Sequence, residues 1–234
     1  GFHHVAFGDL AAAEAALASG DVAAVLVEVI QAEGGINVPE PGYLPALEAA
    51  CRAAGALFMV DEIQTGMGRT GSWFAFQHEG LTPDVVTMAK ALGNGMPVGA
   101  CWARDEVADA FGPGDHGSTF GGQALAMSAA RATLRTMKAL DAPDLAAVVG
   151  AQLAPALEAL PAVLEVRGRG LLLGAVLDAP IAAAVTTAGL AEGIVVNAVR
   201  PDVVRFTPPL TISSEEIAEG VARFGRALSD VRGS

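Results

Sequence analysis

Asp84-Val85-Val86-Thr87-Met88-Ala89-Lys90-Ala91-Leu92-Gly93-Asn94-Gly95-Met96-Pro97 is the stretch that decides the fold. A short apolar strand runs straight into a lysine, and a loop punctuated by Gly93, Gly95 and Pro97 follows. A lysine so placed is expected at the mouth of a sheet and desolvated, where it loses its proton readily and attacks a carbonyl. Upstream, Ala56-Leu57-Phe58-Met59-Val60 reads as a second strand, ending in Asp61. In one parallel sheet these strands bring Asp61 and Lys90 to the same edge, which is where open α/β sheets bind ligands.

A lysine and a carboxylate facing each other there suit pyridoxal phosphate, which needs an amine for a Schiff base and an acid partner for its pyridinium nitrogen. The composition narrows the alternatives. The chain has 234 residues, 52% of them hydrophobic and 17% charged, enough to bury one large core or two modest ones. A formal net charge of −12 and a pI near 4.6 leave no basic patch to meet phosphates, so no nucleic-acid partner is expected. Cys51 and Cys101 are expected as two buried thiols in a reducing cytosol. With no signal-peptide pattern and no apolar run long enough to cross a bilayer, the expected place is the cytoplasm and no membrane partner is expected. His78 and His116 lack metal-ligand spacing with any second ligand, so no metal is expected.

Around the deciding stretch, strands and helices alternate. Leu10 to Ala18 reads as a helix, Ala23 to Glu28 as a buried strand, and Tyr43 to Ala54 as a helix stopped by Gly55. After Asp61 come a glycine-punctuated loop from Thr65 to Gly71 and the aromatic segment Trp73-Phe74-Ala75-Phe76. A strand over Val98 to Ala103 and a long helix over Gln123 to Leu140 follow the lysine strand. This alternation predicts parallel βαβ units. Past Asp141-Ala142-Pro143 the pattern changes: a helix over Leu145 to Leu160, and short strands at Val163–Val166, Leu171–Leu177, Ile194–Asn197 and Val203–Phe206. A helix is expected at Ile181–Ala191, and a last one starts at Ser213, where Ser213 and Glu216 have capping-box spacing. The expected division is a large α/β domain over residues 1–141 and a small α+β domain over 142–234.

Five motifs stand in order: Glu28-Val29-Ile30-Gln31-Ala32-Glu33-Gly34-Gly35, Asp61-Glu62-Ile63-Gln64-Thr65-Gly66-Met67-Gly68-Arg69-Thr70-Gly71, the lysine strand, His116-Gly117-Ser118-Thr119-Phe120-Gly121-Gly122, and Val204-Arg205-Phe206-Thr207-Pro208-Pro209-Leu210. Through them the chain resembles the class III (ω-amino) aminotransferases, and within these it is most similar to the acetylornithine aminotransferases. The resemblance implies the later part of a fold-type-I, pyridoxal-phosphate-dependent large domain with a mostly parallel sheet, followed by the small C-terminal domain.

It implies roles residue by residue. Lys90 bonds the cofactor and shuttles the proton, and Asp61 keeps the ring nitrogen protonated. Gln64 lies near the phenolic oxygen. Ser118 and Thr119 sit before a helix, as a phosphate site does, and Thr119 serves the cofactor of the neighbouring subunit in a homodimer. Arg205 binds a substrate carboxylate, and Glu33 pairs with Arg205 when the amino donor places no carboxylate there. A purely structural Glu33–Arg205 ion pair stays open at this point. Arg69 is expected to brace its loop, and Glu62 to be structural.

The implied reaction moves the δ-amino group of N-acetylornithine to 2-oxoglutarate, in arginine biosynthesis. The alternatives are another class III transaminase acting on ornithine, 4-aminobutyrate, succinylornithine or an acylated lysine precursor, and a truncated remnant acting as an interaction module. Val29 stands where the family usually has proline, and Ala32 where it usually has glycine. The resemblance begins in the middle of the family's chain. The N-terminal part is therefore expected to be missing, along with the phosphate-binding turn, the ring-stacking aromatic residue and a second substrate-binding arginine.

Overall fold

The structure is a computed structural model and describes residues 1–233. Cα packing groups the chain into two compact units that interleave in sequence. The first takes Gly1–Val29, Pro39–Met67 and Phe74–Ala139; the second takes Ile30–Val38, Gly68–Trp73 and the chain from Leu140 on. A single division after residue 141 misses the two short excursions. Both are loops of the second unit, where Gly35 O accepts from Arg167 Nε and Arg69 Nη1 donates to Leu171 O.

In the first unit, α1 (Leu10–Leu17), β1 (Ala24–Glu28), α2 (Tyr43–Ala54) and β2 (Leu57–Asp61) lead to β3 (Val85–Met88). Gly55 closes α2 in the left-handed region at φ +69°, which costs glycine nothing. The sheet order is β1-β2-β3-β4, with β1, β2 and β3 parallel. Its core holds Leu17, Val27, Leu44, Leu47, Cys51, Phe58, Val60 and Val86.

The next strand, β4 (Ala100–Ala103), pairs with β3 antiparallel, against the expectation of a further parallel unit. The reason is the link: one turn of 3-10 helix at Lys90–Leu92 and a glycine loop cannot make the crossover that a parallel neighbour requires. β4 is also shorter than expected and mostly exposed, with Trp102 half-exposed. Cys101 is therefore exposed, a correction to the expectation of two buried thiols; Cys51 is buried. The unit ends in a short helix, α3 (Asp105–Ala108), and the long α4 (Ala124–Leu140).

The second unit is α+β. Its antiparallel sheet runs β5-β6-β8-β7, built from β5 (Val163–Arg169), β6 (Leu172–Leu177), β7 (Asn197–Arg200) and β8 (Val203–Phe206). α5 (Ala142–Glu158), α6 (Ala182–Ala191) and α7 (Ser214–Gly233) supply the other half of a core around Leu153, Leu157, Leu171, Val185, Val204 and Phe224. α5 starts three residues before its expected beginning. Pro143 does not delay it, because a first-turn N–H has no helical partner anyway.

The strand expected at Ile194–Asn197 begins instead at Asn197, opposite Arg205. Ile194 and Val196 do turn inward with Val195 outward, but Pro208 and Pro209 beyond β8 have no N–H to extend the ladder. The Ser213 capping box forms as its spacing predicts: Glu216 N–H donates to Ser213 Oγ at 3.2 Å, and Ser213 N–H donates to Glu216 Oε2 at 2.8 Å.

Candidate active site

In the first unit, β2 and β3 run parallel with Asp61 opposite Thr87, and Glu62 N–H continues the ladder to Thr87 O at 2.9 Å. Asp61 ends β2 and Lys90 follows β3 by two residues, so the two leave the sheet at the same carboxyl edge. Asp61 Oδ1 accepts from Ile63 N–H at 2.8 Å, a local turn that fixes the carboxylate where the strand stops. Gln64, half-buried, lies on the same turn.

Lys90 adopts φ +42°. That conformation costs an L residue about 1–2 kcal/mol, and such strain collects at functional positions. Gly93 explains what holds the turn: a Cβ there would sit 2.0 Å from Met96 O, so only glycine lets the loop close behind the lysine. The lysine is exposed in this chain, a correction to the expected desolvation: it follows the end of β3, and the neighbouring β4 is itself mostly exposed.

Glu62 faces the other way, as its alternation with Asp61 requires. It is 1% exposed, accepts from Thr65 Oγ1 at 2.5 Å and Phe76 N–H at 2.8 Å, and so ties the loop after β2 to the aromatic segment. Burial pushes its carboxyl above the usual range, against the pull of those bonds. Gly66 is required in this loop because a Cβ would meet Glu62 O at 2.7 Å. Ser118 and Thr119 are exposed in the loop ahead of α4, where Ser118 Oγ accepts from Gly121 N–H at 3.0 Å.

A residue the sequence reading passed over is Asp84, directly ahead of β3. It is fully buried and accepts from Arg52 Nη1 at 2.6 Å, Arg104 Nε at 2.8 Å and Phe58 N–H at 2.7 Å. Burial alone would raise its carboxyl, but those donors outweigh it and hold the group below the usual range. The signal was present: an aspartate directly before the buried Val85-Val86 start of a strand needs partners, and Arg52 and Arg104 are the cations that reach it.

In the second unit, Arg205 lies on β8 and is 13% exposed in its side chain. Its Nη1 donates to Glu33 Oε1 at 2.7 Å and its Nη2 to Asn197 Oδ1 at 2.8 Å. Glu33 rides on the loop Ile30–Val38, which is pinned from several sides. Arg167 Nε donates to Gly35 O at 3.1 Å, Gln31 and Asn37 form a backbone bridge, and Ile36 is wholly buried at φ +53°. Gly174 makes room for Ile36; a Cβ there would lie 2.9 Å from Ile36 Cβ. Ala32, one of the two departures from the family pattern, is buried with Ile30, Ile36 and Leu172.

Arg69 braces its loop as expected. Its Nη1 donates to Leu171 O at 3.2 Å and Pro208 O at 2.5 Å, and burial pushes the guanidinium down to about 10. Among the described residues no cluster of three or more His, Cys, Asp or Glu is placed to hold a metal ion, and no helix is long and apolar enough to cross a membrane.

The Aminotransferase class-III family matches residues 4–228. The chain belongs to the class III aminotransferases. Acetylornithine aminotransferase of Mycolicibacterium smegmatis is 50% identical over 216 residues, covering 92% of this chain and 55% of that protein. The Bacillus subtilis acetylornithine aminotransferase is 44% identical over 232 residues, covering 98% and 60%. Among solved structures, ornithine aminotransferase from Toxoplasma gondii superposes with a TM-score of 0.93 at 39% identity, covering 100% of this chain and 57% of that one. N-acetylornithine aminotransferase from Stenotrophomonas maltophilia superposes with a TM-score of 0.90 at 38% identity, covering 99% and 64%. The chain spans between 52% and 60% of the length of the curated relatives it matches. Class III aminotransferases are pyridoxal-phosphate enzymes, and the sheet-edge residues fit that group: an exposed amine at Lys90 and a turn-fixed carboxylate at Asp61 on one edge.

Proposed function

We propose that this class III aminotransferase chain belongs to an acetylornithine transaminase, which moves the δ-amino group of N-acetylornithine to 2-oxoglutarate. The observation that carries the reading is the shared carboxyl edge of β2 and β3, which presents Asp61 and Lys90 together. The names of the relatives favour this donor over ornithine, 4-aminobutyrate, succinylornithine or an acylated lysine precursor.

In this reading Lys90 Nζ would be the amine that holds the cofactor and the group that would carry a proton. Asp61 keeps the ring nitrogen protonated, and Gln64 hydrogen-bonds near the phenolic oxygen. Ser118 and Thr119 offer hydroxyls to the phosphate, with Thr119 serving the second subunit of a homodimer. Pyridoxal phosphate, when bound, supplies an electron sink for the bond changes at the amino carbon. Arg205 receives a carboxylate of 2-oxoglutarate, and Glu33 covers Arg205 when the donor brings no carboxylate to that point. In this reading the protein acts in the cytoplasm, in arginine biosynthesis.

The test is a panel of amino donors with 2-oxoglutarate, using the full-length protein loaded with cofactor. N-acetylornithine is expected to give the highest kcat/KM. A preference for ornithine or 4-aminobutyrate of tenfold or more reassigns the donor.

A further inference from the structure

Arg205 is held by two groups of different kinds. On one side stands Glu33, a carboxylate whose side chain is 68% exposed. On the other stands Asn197, a neutral amide at the start of β7, directly opposite Arg205 in the β7–β8 ladder. The two use different nitrogens, Nη1 and Nη2, so neither contact displaces the other. An exposed carboxylate is readily exchanged for an incoming anion. An amide on a paired strand is fixed by the backbone and leaves the guanidinium its full charge. The Glu33 loop does not move easily, because Ile36 is buried and Arg167 holds Gly35 O.

We propose that Asn197 is a positioning residue, which keeps the Arg205 guanidinium oriented for a substrate carboxylate while the Glu33 side chain gives way. The inference rests on the reading of Arg205 as the carboxylate-binding arginine. It also says why the position holds an amide rather than an acid. A carboxylate there would satisfy the same nitrogen but neutralise the arginine and compete with the dicarboxylate substrate.

The experiment compares Asn197→Ala, Asn197→Asp and Arg205→Ala in the full-length, cofactor-loaded protein, with KM measured for 2-oxoglutarate and for N-acetylornithine. Asn197→Ala is expected to raise the KM for 2-oxoglutarate about 5- to 10-fold, about the net worth of one ordinary hydrogen bond, since the arginine itself remains. Asn197→Asp is expected to raise it about 10- to 100-fold, by charge competition at the same atom. The KM for N-acetylornithine should move less than about threefold in both. A packing role reverses the order, since Asp has the shape of Asn and Ala leaves a gap; Asn197→Asp no worse than Asn197→Ala overturns the proposal. Arg205→Ala separates the two failures. If it raises the KM for 2-oxoglutarate strongly while the Asn197 variants do not, only the Asn197 inference falls. If it leaves that KM unchanged, the carboxylate-binding reading falls and the inference with it.

Discussion

Glu33 and Arg205 lie 172 residues apart in sequence and meet through a 2.7 Å charge-assisted hydrogen bond. The arginine is mostly buried and the glutamate mostly exposed. A pair open to solvent on its glutamate side is screened there and contributes on the order of 1 kcal/mol or less to stability, so this one is a poor structural fastener and a good exchangeable cover. Glu33→Gln is expected to leave the unfolding midpoint nearly unchanged. It should lower the KM for 2-oxoglutarate and raise that for N-acetylornithine, each by about two- to fivefold, the range that a pair of that strength can supply. Equal damage to both half-reactions would reduce the pair to scaffolding.

Lys90 and Lys138 are the two lysines of the chain. Lys138 sits in the last turn of α4, far along the sequence from any strand end. Borohydride reduction in the presence of pyridoxal phosphate should therefore label the peptide containing Lys90, and Lys90→Ala should abolish both labelling and amino transfer. Mass mapping that finds the label on Lys138 overturns the assignment.

Asp61→Asn is nearly isosteric and keeps a side-chain oxygen for the Ile63 N–H, so the turn after β2 should survive. An amide cannot keep a ring nitrogen protonated. Turnover of the full-length protein is expected to fall by several orders of magnitude while cofactor stays bound, a few kcal/mol of lost charge stabilisation. Transamination within tenfold of the parent means that Asp61 is not the ring partner.

The elements with clear periodicity are legible in the sequence. α2 ends at Gly55, β8 spans Val203–Phe206 and the Ser213–Glu216 box closes on itself, because each rests on local chemistry: a left-handed cap, a buried apolar run, a reciprocal bond. The direction of β4 was not legible, because its hydrophobic run says nothing about the length of crossover needed. The exposure of Lys90 and Cys101 was missed for a related reason. Sequence patterns report which faces are suited to burial, whereas exposure depends on what packs there. The motifs named Glu33 and Arg205, but Asn197 became visible only through the register that sets it opposite Arg205. Asp84 was missed because its two arginines lie 32 residues before it and 20 after it, and no local pattern joins them.

The two thiols should separate cleanly in this chain. Burial pushes Cys51 up to about 11, so at pH 8 on the order of one molecule in a thousand carries a thiolate there. Cys101 lies exposed on β4. Titration with an aromatic disulfide under native conditions should release one equivalent quickly, and a second only on unfolding. Cys101→Ser should remove the fast phase; two fast equivalents in the parent chain would mean that the α2 side of the first core opens.

Asp84 should be the most sensitive carboxylate in the first unit. Three donors converge on it, one a backbone N–H of β2 and two the guanidinium groups of Arg52 and Arg104, themselves 39% and 46% exposed. Asp84→Asn removes the charge and turns one accepting oxygen into a donor that faces donors. The expected loss is about 1–3 kcal/mol, the usual cost of breaking a buried charge-assisted network. Because the folded carboxyl is held below its ordinary value, its contribution is present above about pH 4, the unfolded aspartate value, and is lost as the pH falls through the lower folded value. Urea midpoints measured between neutral and strongly acid pH should therefore converge for parent and variant at the acid end and differ most near neutrality. A gap that stays constant through the acid range would show that the variant acts by shape, and that the two arginines contribute nothing through charge.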